Sequence, residues 1–316
     1  MMNNRRSFIV GIKSLKLSSN EKYFLKKFKP WGVILFSRNI RNIKQTFELT
    51  SSIRAIFNDK KYPILIDQEG GRVNRLEKII SFNNLTSEFF GNKFKKNFRE
   101  FNLYYKLFID KTSYLLKSIG VNVNTSPVLD LRIKGASNVI GDRAFSKDPK
   151  VVSKIGDYCI DYYHQNEIGT VIKHIPGHGL ANVDSHHFTP IVKKRLSYLL
   201  KKDFLAFKNK KAFFAMTGHI IFSKIDKENT VTHSKKLIRL IREKIKFKNI
   251  IISDDLSMKS LKNSLEENTI KTFNAGCNLA LHCNGNLNEM TTVGKNSPII
   301  NKFIIKKTSQ FYKILS

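Results

Sequence analysis

Apolar residues gather into eight short runs along this chain, at residues 7–12, 31–36, 62–66, 121–124, 170–172, 212–216, 249–252 and 278–281. The segments between them carry helical spacing instead. Leu196, Leu199, Leu200, Phe204 and Phe207 step by three and four, as do Leu237, Leu240, Ile241 and Ile245. Thr232 or Ser234 stands where the second of these helices needs a cap. Strand and helix alternating eight times predict an α/β fold, a single (β/α)8 TIM-type barrel, and about 300 residues is an ordinary size for one. No internal repeat, low-complexity segment or linker divides the chain, so residues 1–316 are expected to form one catalytic domain. Residues 82–108 read as a loop followed by a helix, and the basic stretch after Gly294 as a short C-terminal tail packed as a last helix.

Polar chemistry sits at one end of these runs. Six of the eight finish in Ser37 with Arg38, Asp67, Asn124, Lys173 with His174, His219, and Asp254. Their amino ends are plain or turn-like: Lys61, Gly120, Gly169 and Lys211. Barrel enzymes place their chemistry at the carboxyl ends of the strands, so the asymmetry predicts a site at that rim.

Composition narrows the picture. At 41% hydrophobic with 24 Phe, the chain can build a sizeable core, burying roughly three quarters of its unfolded surface. No apolar run approaches the roughly 20 residues of a membrane span. The N-terminal Arg5-Arg6 pair precedes an apolar stretch interrupted at once by Lys13 and Lys16, too short for a signal peptide. A cytoplasmic protein is expected. Cys159, Cys277 and Cys283 form no framework of paired bridges and no zinc-type spacing.

Fifty-six bases against 25 acids give a net charge of +31, which by itself suggests a polyanion partner. The lysines, however, are scattered in pairs such as Lys26-Lys27, Lys60-Lys61 and Lys193-Lys194, among abundant Asn and Ile. That is the pattern of a solvated surface. With no helix-turn-helix and no basic-aromatic stacking motif, no nucleic-acid partner is expected.

The densest chemistry is Lys173-His174-Ile175-Pro176-Gly177-His178-Gly179 followed by Asp184-Ser185-His186, directly behind the apolar run 169–172. It resembles the Lys-His-Phe-Pro-Gly-His-Gly … Asp-Ser-His signature of the family 3 glycoside hydrolases of the bacterial β-N-acetylhexosaminidase type, with Ile175 in place of Phe. Three more segments resemble that family in the same order. They are residues 66–75 (Ile-Asp-Gln-Glu-Gly-Gly-Arg-Val-Asn-Arg), residues 141–145 (Gly-Asp-Arg-Ala-Phe, departing at Asp142 and Ala144), and residues 253–258 (Ser-Asp-Asp-Leu-Ser-Met). The likeness covers about residues 31–283.

The resemblance implies a retaining exo-β-N-acetylglucosaminidase with Asp254 as nucleophile and His186 as general acid/base, oriented by Asp184. Asp67, Arg75, Arg143, Lys173 and His174 would grip the sugar. The chemistry is coherent. Asp254 follows a buried run and emerges at the rim, and a histidine near pKa 6.5 beside a carboxylate can donate and accept protons near neutrality. Gly70-Gly71 permits a tight turn between Asp67 and Arg75. Glu69 reads as a brace for that turn, outside the site. Asp255 reads as a helix cap or a partner of backbone amides, and His187 as a surface residue. His219 suits either the pocket wall or a structural role.

The expected substrate is a small saccharide or a muropeptide of peptidoglycan recycling, handled by a monomer without cofactor, metal or membrane insertion. Spacing does not identify an acetamido pocket, so N-acetylglucosamine and glucose stay open on the residues alone, as do hydrolysis and phosphorolysis. A metal-dependent hydrolase using His174, His178, Asp184 and His186 is the alternative. It is weakened because these residues all come from one strand and its loop.

Overall fold

The computed structural model describes residues 2–185 and 188–315. All eight expected strands form. Among the described residues ten strands occur in chain order: β1 (Arg6–Gly11), β2 (Pro30–Leu35), β3 (Ile64–Ile66), β4 (Val123–Asn124), β5 (Gly169–Ile175), β6 (Ile191–Val192), β7 (Phe214–Thr217), β8 (Ile221–Phe222), β9 (Ile250–Asp255) and β10 (Leu279–His282). Eight of them close a parallel barrel in the order β1-β10-β9-β7-β5-β4-β3-β2. The other two, β6 and β8, pair with each other and tie the loop after β5 to the loop after β7.

The described residues also form ten α-helices between and after the strands: α1 (Ser19–Phe28), α2 (Ile43–Phe57), α3 (Ser87–Lys96), α4 (Phe98–Ser118), α5 (Pro149–Gln165), α6 (Leu196–Lys201), α7 (Lys235–Glu243), α8 (Leu265–Ala275), α9 (Leu287–Asn296) and α10 (Lys302–Tyr312). All but α6 start on a side-chain cap. Ser18 and Glu21 form a reciprocal capping box on α1. Ser234 caps α7 by accepting from the Leu237 amide, while Thr232 bonds Thr217 and His219 instead.

Three expected helices are divided differently. The 196–207 stretch stops at Lys202 and resumes as a 3-10 turn, Asp203–Phe207, because Lys202 leaves helical geometry (φ −122°, ψ −106°). Residues 82–108 hold two helices rather than one, since Asn97 breaks the run and caps α4. Gly294 lies inside α9, so the terminal helix begins later, at Lys302.

Two apolar layers hold the barrel. On β9, Ile250 and Ile252 point into the interior and Ile251 out to the helices; on β10, Leu279 and Leu281 point in and Ala280 out. The interior column is floored by α10, whose Ile304 and Phe311 pack beneath Trp31 and Phe214. The Trp31 indole donates to Thr308 Oγ1 at 2.9 Å, which satisfies the one polar atom this large side chain buries. Among the described residues no helix is long and apolar enough to cross a membrane.

Candidate active site

A cavity of about 210 Å³ opens at the carboxyl ends of the barrel strands. Asp67, Arg75, Arg143, Lys173, His174 and Asp254 all line it. Three larger surface cavities, of about 530, 550 and 590 Å³, lie around Lys134, around Asp226 and between Lys150 and Lys201. The convergent chemistry is in the small one.

Asp67 stands at the end of β3, and the chain behind it turns back at Gly70 and Gly71, both with positive φ (98° and 57°). This hairpin returns Arg75 to Asp67, Nη2 to Oδ2 at 3.3 Å. Gln68 fixes the return by accepting the Arg75 amide at 2.8 Å, and Asn124 of β4 clasps the Gln68 backbone through both its amide atoms. Thr125 donates to Asp67 at 2.7 Å.

Lys173, on β5, is 2% exposed and bridges two carboxylates: Asp67, and Glu69 at 2.6 Å. Arg143 completes the array with a two-pronged grip on Glu69. Burial alone would raise the Asp67 carboxyl, but Lys173, Arg75 and Arg143 overcome it and hold the group well below the usual carboxylate range. Burial likewise opposes Arg143 and Lys173 at Glu69, and again the cations win. Glu69 does not itself line the cavity, but it is the shared carboxylate of Lys173 and Arg143, which do. Its position two residues after a strand-end carboxylate puts it on the same side of the chain as Asp67, and that spacing was the available signal.

A register shift between β5 and β7 falls at Lys173–Ile175. A bulge of this kind re-aims side chains, and here Lys173 and His174 both reach the cavity. His174 is oriented by Asp130, which accepts its Nδ1 at 2.6 Å and its amide at 3.2 Å, and also accepts the His178 amide at 2.6 Å. Burial would raise Asp130; His174 and these hydrogen bonds hold it low. The sequence reading missed Asp130. Its signal is a lone carboxylate between Leu129 and Leu131, an apolar setting that a charge tolerates only when paired.

His178 is buried 5.5 Å from the His174 ring, edge to face, and its Nε2 meets Ser185 Oγ at 3.0 Å. Burial first, then His174, push it down to about 4, so it is neutral at pH 7. The ring nitrogens facing Asp130 and Ser185 are thus committed, and among the described residues no three His, Cys, Asp or Glu side chains gather as metal ligands.

Asp254 continues the inward face of β9, where the pairing with β10 shifts register. Its neighbour Asp255 accepts from the Ser257 amide and hydroxyl (3.1 and 2.9 Å) and from the Cys283 amide (3.2 Å). His219 is fully buried between Thr232 Oγ1 and the Asp255 carbonyl, outside the cavity wall. Asp184 does not line the cavity, though the adjacent Ser185 does. His186 and His187 lie outside the described residues.

Residues 7–308 match the family model described as the glycosyl hydrolase family 3 N-terminal domain. A beta-hexosaminidase from Nitrosomonas eutropha is 34% identical over 261 residues, covering 80% of this chain and 73% of the relative. One from Actinobacillus pleuropneumoniae is 32% identical over 288 residues, covering 87% and 80%. The crystal structure of NagZ from Neisseria gonorrhoeae in complex with N-trifluoroacetyl-D-glucosamine superposes with a TM-score of 0.88 at 26% identity, covering 98% of this chain and 90% of that one. A closed parallel barrel, a carboxylate-rich rim and a family match across nearly the whole chain agree, and the chain belongs to glycoside hydrolase family 3.

Proposed function

We propose that this protein is a retaining exo-β-N-acetylglucosaminidase acting as a single catalytic barrel. The observation that carries the reading is the placement of Asp254 in one small cavity with Asp67, Arg75, Arg143, Lys173 and His174. About 210 Å³ suits one sugar ring, below the roughly 300–1,000 Å³ of sites for drug-sized ligands. That favours removal of one terminal residue over cleavage inside a polymer.

In this reading Asp254 attacks C1, the bond to the leaving oxygen breaks, and His186 supplies its proton. The glycosyl–Asp254 ester is then opened by water, whose proton returns to His186. Asp184 keeps the imidazole in the right tautomer. The cationic array anchors ring hydroxyls and keeps Asp67 ionised as an acceptor. The relatives named beta-hexosaminidase support N-acetylglucosamine as the glycone. The physiological aglycone is proposed to be a muropeptide, processed by a monomer in the cytoplasm during peptidoglycan recycling.

The test is release of p-nitrophenol from its β-N-acetylglucosaminide, with the β-glucoside as control, with and without EDTA. Chelator-resistant, acetamido-selective turnover is expected. Turnover of neither glycoside refutes the reading, and loss with EDTA transfers it to the metal alternative.

A further inference from the structure

Asp203 opens the 3-10 turn behind α6 and is 1% exposed, yet neither of its carboxyl oxygens has a hydrogen-bond partner of normal geometry. Its surroundings are specific. A methyl group placed on Gly177 would sit 2.7 Å from Asp203 Cβ, and one on Gly179 would sit 3.0 Å from Asp203 Oδ1. The carboxyl is therefore wedged beneath the Gly177-His178-Gly179 turn that follows the strand carrying Lys173 and His174. On the same turn, Asp130 accepts the His178 amide. One turn is held between two carboxyl groups, the first saturated with donors and the second approached only by the Asp203 and Leu180 amides, without a hydrogen bond of normal geometry.

Such a pair cannot share the interior as two anions. An isolated buried carboxylate is expensive, and a second one close by adds repulsion. Asp130 is the member with donors, so it keeps the charge and Asp203 keeps the proton. Burial first, then Asp130, push Asp203 up to about 7. The groups acting the other way are the amides of Asp203 and Leu180 and the ammonium of Lys202. Lys150 of α5 lies with Lys201 and Lys202 around a neighbouring cavity.

We propose that Asp203 is a positioning residue for the reaction, holding the Gly177–Gly179 turn in place as a neutral acid and displacing it on ionisation. His178 moves with the turn. His174 follows, because both hang on Asp130. The activity part of this proposal rests on the glycosidase reading; the structural part does not.

The sign of the stability effect is fixed. An acid raised in the folded state contributes stability that is present below its unfolded pKa of about 4 and lost as pH climbs to about 7. Asp203→Asn and Asp203→Leu remove the titration, the second in case the first misfolds. The Tm of a variant minus that of wild type is expected to rise by about 5 °C between pH 4 and pH 8. A flat difference overturns the assignment.

The turn itself is read by hydrogen exchange of residues 176–181. Comparing wild type with variant at each pH cancels the intrinsic base catalysis. Faster exchange in wild type above pH 7 is expected; equal exchange overturns the positioning role. For activity, the 2,4-dinitrophenyl β-N-acetylglucosaminide is used, because its leaving group needs no proton and His186 drops out of the profile. Wild-type kcat/KM should fall at least tenfold from pH 6 to pH 8.5, and a variant's less than threefold. Equal falls overturn the coupling to catalysis. Absence of any turnover in wild type refutes the glycosidase reading instead, and leaves the Tm and exchange results standing.

Discussion

Arg143 holds Glu69 by two parallel bonds, Nε to Oε2 and Nη2 to Oε1, each 2.8 Å, with both side chains nearly buried. Lys173 reaches the same carboxylate from β5. Glu69 is thus the common anion of two buried cations. Replacing it by Gln keeps the shape and deletes the charge, which leaves Lys173 and Arg143 undercompensated. Breaking a buried pair from one side costs about 3–5 kcal/mol, or roughly 10 °C in Tm for a chain of this size. Glu69→Gln is expected to show that loss with a raised KM. A variant with wild-type melting and KM would return Glu69 to the role of a turn brace.

The proposed nucleophile makes a sharper demand. Asp254→Asn should lower kcat by at least about 10³-fold with little change in melting, because the side chain faces the cavity. In Asp254→Ala, which clears the space below C1, added azide should restore turnover of the 2,4-dinitrophenyl β-N-acetylglucosaminide, displacing dinitrophenolate and yielding the α-glycosyl azide. An inactive variant that azide fails to rescue would argue against a covalent intermediate on this residue.

Acid should destabilise the protein through two sets of groups. Asp67, Glu69 and Asp130 are held low in the fold, so their contribution is present above the unfolded value of about 4 and lost below it. His164, His178 and His233 are pushed down to about 4, chiefly by burial. Unfolded histidine binds a proton below about 6.5, so each of these costs stability as pH falls from 6.5 to 4. Tm should decline steadily over that window. His164→Gln, which lies outside the site and bonds Thr170, should flatten the slope; an unchanged slope would mean His164 protonates freely in the folded state.

Gly179 has no room for a side chain. An added methyl group would meet the Leu131 carbonyl oxygen at 2.6 Å and its nitrogen at 2.9 Å, both backbone atoms that cannot swing aside. Gly179→Ala should displace the turn bearing His178 and reduce kcat/KM by about 10²-fold, the usual result of misplacing a site by about 1 Å. The kinetics at saturating and limiting substrate check it. Wild-type activity would mean the turn is not coupled to the site.

Much of this was legible in the chain because barrel strands are continuous apolar runs with ionisable ends. Asp67, Lys173 and Asp254 mark their strand ends plainly. What escaped was whatever depended on partners distant in sequence. Glu69 beside two glycines has the local signature of a turn, and only Lys173 and Arg143, 104 and 74 residues away, reveal it as an ion. Asp130 follows a two-residue strand and is defined by His174, 44 residues on. The strands β6 and β8 are two residues each, too short for periodicity to register. The break at Lys202 is a backbone conformation that the spacing of leucines around it does not encode.

The floor of the barrel has a consequence for how the molecule comes into being. Trp31 waits for Thr308, 277 residues further along the chain, to receive its indole proton. A nascent chain can pair its early strands but cannot seal their interior until α10 leaves the ribosome. The catalytic rim and the floor are thus completed in opposite order, the rim's residues all present while the base is still open. Truncation before residue 300 should leave every proposed catalytic side chain in place in the sequence and yield a protein that aggregates before it can use them.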